Sequence, residues 1–142
     1  MSIPTTSMHL AEEPELARIP VVSIQDVLVG RLLARQEAAR LGFTPQALTQ
    51  IATAVSEITR NVVQHAKAPG HMTLFEVKDA QRVGIKIIID DAGIGIPDLE
   101  RVKSGVSAGA GIPGSQKLMD SFEIHSNPKT GTMVTMLKWV TV

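Results

Sequence analysis

The chain predicts an α+β fold, a two-layer sandwich in which helices cover one face of a mostly antiparallel sheet. Three observations carry this. Helical patterns fill residues 24–66, so the helices come early. Strand patterns at 71–78 and 82–90 follow with only a short turn between them, which is the spacing of an antiparallel hairpin. A short helix then stands between that pair and a closing pair at 122–126 and 132–141. This is not the alternating strand–helix order of a doubly wound parallel sheet.

Residues 1–16, with Pro4, Pro14 and the acidic Glu12, Glu13 and Glu15, read as a flexible lead-in, and 17–142 as one domain. Ala17–Ser23 suits an edge strand, because Pro20 lacks the amide that a central position would need. Ile24–Leu41 has helical apolar spacing, and Gly42 is placed to stop it. Thr44-Pro45 reads as an N-cap followed by proline at the first helical position. The helix so opened extends to Ala66, and Pro69-Gly70 ends it. Asp79–Gln81 turns the first strand pair. Residues 91–112 read as a glycine-punctuated loop with room for one helical turn over Asp98–Lys103. Pro113–Ser121 reads as the short helix, and Asn127–Gly131 as the last turn.

Composition removes several functions. At 142 residues and 44% apolar, with a mean hydropathy of +0.13, the chain is long enough for a real core and is of soluble character. Fourteen basic residues balance 14 acidic ones without a Lys/Arg cluster, so no field draws nucleic acid. Aromatics at 3% argue against a base-stacking platform. With no cysteine there is no disulfide, thiolate metal site or thiol nucleophile. No signal-peptide layout or membrane-length apolar run is present, so the expectation is a cytoplasmic protein with no nucleic-acid or membrane role.

The strongest candidate for chemistry is DDAGIGIPD at 90–98, directly after the apolar run Val83–Ile89. Strand alternation puts Asp91 on the face of Ile85, Ile87 and Ile89. If that face is buried, the carboxylate needs a partner. Gly93 and Gly95 allow a backbone or a ligand close by. In the second helix, Leu48, Ile51, Val55, Ile58 and Val62 form an apolar stripe, with Glu57 and Asn61 as an i, i+4 pair on its flank. A carboxylate and an amide oxygen at such a seam suit either a Mg²⁺ ion or the acceptance of a hydroxyl proton. Taken alone, the pair is more simply a solvated flank. Gly109-Ala110-Gly111-Ile112-Pro113-Gly114 precedes the last helix. It is formally G-x-G-x-x-G, but no strand or parallel unit surrounds it, so it is no dinucleotide fingerprint. Glycine-turn amides at a helix start still suit phosphate. The histidines at 9, 65, 71 and 125 lack metal-ligand spacing, and the six methionines read as core filler. Arg60 and Lys67 read as exposed, solvated charges.

Three segments thus occur in order: Glu57-x-x-x-Asn61 on a helix, Asp91-x-Gly-x-Gly after a strand, and a glycine loop before a helix. Together they resemble the Bergerat or GHKL ATP-binding domain shared by gyrase, Hsp90, histidine kinases and MutL. Within it the chain is similar to the serine kinases of bacterial partner-switching pathways, of the RsbT (stressosome switch kinase) type, with RsbW-type anti-sigma factor kinases as cousins. The likeness covers residues 17–140. It is carried by Ser56-Glu-Ile-Thr-Arg-Asn61, Asp90–Asp98, Gly111-Ile-Pro-Gly-Ser-Gln-Lys-Leu-Met-Asp120, and Gly131-Thr132 with Lys138-Trp139.

That resemblance implies ATP and Mg²⁺ as cofactors, with Asn61 holding the metal and Glu57 as general base for a substrate serine. It implies that Asp91 accepts the adenine amino group and that Gly93 and Gly95 border the base. Gly109, Gly111 and Gly114 would lie over the phosphates, and Thr132 would assist at the adenine end. The implied partners are a STAS-domain protein as substrate and a PP2C-type phosphatase that the free kinase activates. The alternatives are an anti-sigma factor kinase sequestering a sigma factor, or a catalytically weak ATP-binding docking module. Two departures stand out: Ile94 replaces the usual proline of Asp-x-Gly-Pro-Gly, and the lid segment between Asp98 and Gly109 is short. The short lid is the feature that motivates the docking-module alternative.

Overall fold

A computed structural model of the chain describes residues 13–66, 68–93 and 111–141. The element order is β1 (Glu15–Val21), α1 (Ile24–Leu41), α2 (Pro45–Asn61), a π-helical turn (Val62–Ala66), β2 (Gly70–Lys78), β3 (Val83–Asp91), α3 (Gly111–Leu118), β4 (Ser121–Asn127) and β5 (Gly131–Trp139). The five strands form one antiparallel sheet in the order β1-β2-β3-β5-β4. This is the α+β architecture expected. Among the described residues no helix is long and apolar enough to cross a membrane.

Local chemistry sets the boundaries. Pro20 sits on the edge strand β1, opposite His71. Gly42 ends α1 at φ +104°, and the amide of Phe43 returns to the Ala38 carbonyl at 3.3 Å, as a Schellman-type stop does. Thr44 Oγ1 accepts from the Ala47 amide at 3.2 Å, with Pro45 in the first turn of α2. The strand β1 opens at Glu15, two residues before the expected start, because the chain is tied down ahead of it. The Pro14 carbonyl accepts from Glu76 N at 3.0 Å, and Glu13 pairs with Lys86 on the sheet. The last helix also differs from expectation. It begins at Gly111 and ends at Leu118 rather than spanning 113–121, since Ser121 already pairs with Leu137 in the sheet.

The larger difference lies at the end of α2. The expected continuous helix to Ala66 is α-helical only to Asn61, then widens into the π turn. Such turns break the regular ladder at one place and recur at functional sites.

The core lies where α2 meets the sheet. Ile51, Val55, Ile58 and Val62 pack with Met72 and Leu74 of β2, Ile85, Ile87 and Ile89 of β3, and Val134 and Met136 of β5. The short helix α3 turns Ile112 and Ser115 inward, and Met119 just beyond its end is buried as well. Ser115 Oγ is buried on that face without a hydrogen-bond partner among the described residues. An unmade buried hydroxyl bond costs about 1–3 kcal/mol. Ser115→Ala should therefore raise the urea midpoint of the ligand-free protein, by a fraction of that cost. A lower midpoint would show that the hydroxyl is satisfied in solution.

Candidate functional site

The site is assembled around the end of β3. Asp91 is only 8% exposed, on the same face as Ile85, Ile87 and Ile89, as strand alternation requires. Its Oδ1 accepts from the Gly93 amide at 2.8 Å, closing an Asx-type turn. The amide of Thr132, its partner across the β3–β5 ladder, also hydrogen-bonds the carboxylate. Burial nevertheless pushes the carboxyl above the usual range. The two amides pull it down by binding the charged form, and the charge of neighbouring Asp90 adds to the upward push.

Three glycines let the backbone close in around this carboxylate. A Cβ at Gly93 would collide with the Ala66 carbonyl, one at Gly131 with the Asp91 carbonyl, and one at Gly70 with the Asp90 carbonyl. Gly131 also holds a φ of +89°, which side chains rarely adopt. The approach that Gly93 permits is therefore, in part, to protein backbone: it brings the Asp91 turn against the end of the π turn. Thr132, 9% exposed, lies opposite Asp91, with its Oγ1 3.0 Å from Ser126 Oγ of β4.

The helix supplies the other half. Glu57 and Asn61 are both half-buried one turn apart on α2. Asn61 is the last α-helical residue before the π turn whose final carbonyl meets Gly93. The helix end and the strand end are thus in backbone contact. Arg60 keeps the solvent exposure expected, with 38% of its side chain accessible, and in addition its Nη1 lies 3.1 Å from Glu57 Oε1. The i, i+3 spacing on one helix brings them together. Among the described residues no three His, Asp or Glu side chains gather to hold a metal.

Gly111 opens α3, and the exposed Gly114 in its middle faces open space: a Cβ there would meet nothing within 4 Å. Gly95, Gly109, Lys67 and the expected helical turn over 98–103 lie outside the described residues. Sequence reasoning passed over Arg31 and Arg35, which share a cleft with Glu57. Their i, i+4 spacing on α1 was the available signal.

Residues 25–138 match the family described as histidine kinase-like ATPase domain. The chain is 36% identical over 127 residues to the serine/threonine-protein kinase RsbT of Bacillus subtilis (strain 168), covering 86% of this chain and 95% of that protein. It is 30% identical over 126 residues to an anti-sigma F factor of Thermoanaerobacter sp. (strain X514), covering 82% and 87%. A solved histidine kinase domain from the Erythrobacter litoralis EL346 blue-light activated histidine kinase superposes with a TM-score of 0.51 at 22% identity. It covers 66% of this chain and 44% of that one, and bears on the fold alone.

The raised Asp91 carboxyl gives a signed pH dependence. Folded protein keeps this proton to higher pH than the unfolded chain, whose carboxyl titrates near 3.8. The stability that the proton contributes is fully present below 3.8 and is lost as pH rises through the folded value. Urea unfolding without nucleotide should show the wild type losing stability relative to Asp91→Asn as pH rises above 3.8. A wild-type advantage that grows with pH would mean that the amides outweigh burial.

Proposed function

The chain belongs to the histidine kinase-like ATPase domain family, and from that premise we propose an ATP- and Mg²⁺-dependent serine-protein kinase of a partner-switching pathway. Its substrate is a STAS-domain antagonist, and the released kinase binds and activates a PP2C-type phosphatase. One observation carries the reading: Glu57 and Asn61 stand on the helix whose continuation touches the Asp91 turn at Gly93. Kinship with RsbT and the anti-sigma F factors supports it.

The residues present fit a bound nucleotide. Asp91 sets a buried carboxylate acceptor at the strand end, and α3 leaves open space at Gly114. Bound ATP with Mg²⁺ would supply the phosphoryl group and neutralise its charge. In this reading Asp91 takes the hydrogen bond of the adenine amino group, with Thr132 beside it and Gly93 and Gly95 bordering the base. Gly109, Gly111 and Gly114 lie along the phosphates. Asn61 offers an amide oxygen to the metal, which takes oxygen ligands and keeps several waters. That suits a place where no cluster of acidic side chains gathers among the described residues.

Glu57 accepts the proton of the substrate serine. Arg60 holds this carboxylate through Oε1, which fixes its direction and leaves Oε2 to meet the hydroxyl. A second reading, favoured by the anti-sigma F factors among the relatives, is a kinase that sequesters a sigma factor. Retrieval of a sigma factor rather than a phosphatase in a pull-down would select it.

Glu57→Gln should lower phosphoserine formation on the STAS partner by about 10²–10⁴-fold, the usual worth of a positioned base, and leave ADP affinity near that of the wild type. An unchanged rate would remove Glu57 from the chemistry.

A further inference from the structure

Between α1 and α2 lies a cleft of about 430 Å³, lined in part by Arg31, Leu32, Arg35, Ser56, Glu57 and Arg60. Its charge is uneven. Three guanidinium groups face one carboxylate, and that carboxylate is already paired with Arg60. The ion pairs among the described residues leave Arg31 and Arg35 without a carboxylate. These two stand one turn apart on the exposed side of α1 and form a basic wall. Beside them, Leu28 and Leu32 run as an apolar ridge, 53% and 61% exposed, where a helix flank would ordinarily be polar.

We infer that this cleft is the docking groove for an acidic segment of the protein substrate, the segment that carries the acceptor serine. The inference rests on the kinase reading above and adds where the substrate lies and what chemistry selects it. The occupant follows from charge: two unpaired guanidinium groups match carboxylates on an incoming chain, with the bidentate geometry that arginine favours. The ridge of Leu28 and Leu32 takes an apolar side chain of the same segment, as buried anchors do in protein interfaces. Glu57 forms part of the facing wall. A segment laid along the arginines therefore passes its serine in front of the base. The chain as a whole carries no net charge, so this attraction is local to the groove.

The probe is a fluorescein-labelled peptide of about ten residues, with one serine among Asp, Glu and Leu, beside a counterpart in which Lys and Arg replace the acids. Anisotropy with full-length protein should show about tenfold or stronger preference for the acidic peptide, weakened by salt. The double variant Arg31→Glu/Arg35→Glu should lose that preference and gain affinity for the basic peptide, a rescue that a misfolded protein would not give. ADP affinity should stay at the wild-type value. Equal binding of both peptides by the wild type, or an unchanged preference in the double variant, would overturn the groove. Loss of ADP binding in the wild type with the acidic preference intact would instead overturn the kinase reading and leave the groove standing.

Discussion

A carboxylate at the end of a central strand, turned into the core, is the constraint on which the rest of the site depends. Leaving Asp91 charged and unpaired in such a place would cost several kcal/mol. Two backbone amides, from Gly93 and Thr132, meet it, and burial still dominates its titration. The fold supplies the amides by drawing three stretches of chain close together. Gly93, Gly131 and Gly70 each occupy a position where a side chain would strike a carbonyl. The glycines are thus the condition for the carboxylate, and the carboxylate puts an ionisable group at that end of the Ile85–Ile87–Ile89 face.

The same closeness joins strand chemistry to helix chemistry. The helix α2 does not stop at Asn61 but widens into a π turn, and the last carbonyl of that turn rests against Gly93. A regular continuation would present that carbonyl at a different angle and height. Glu57, Asn61 and the Asp91 turn are therefore held by one continuous run of backbone contacts. In the proposed phosphotransfer site, where positioning does most of the catalytic work, such contact between the proposed base and the proposed nucleotide end is what the chemistry asks for.

Most of the architecture was legible in the sequence because it rests on local signals. Thr44-Pro45, Gly42 and the alternation of β3 each state their structure within a few residues. The inward direction of Asp91 followed from period-two alternation alone. Other features depended on distant partners and were not legible. The early start of β1 is set by Glu13 and Pro14 reaching β2 and β3. The break of α2 at Asn61 has no proline or glycine to announce it. The pairing of Arg60 with Glu57 needed only i, i+3 spacing and adds to, rather than replaces, the solvent exposure expected of an arginine on a helix flank. Arg31 and Arg35 acquire meaning only when α1 lies beside α2 and the cleft between them exists.

The central claim, that the Asp91 turn is the adenine end of a nucleotide site, is tested most directly by the base itself. Calorimetric titration of the wild type with ADP and with inosine diphosphate, which lacks the amino group, should show ADP bound about tenfold or more tightly. That is the discrimination expected when a buried polar group loses its partner. Asp91→Asn should bring the two affinities together. Equal affinity in the wild type, or a preference that survives in Asp91→Asn, would contradict the account.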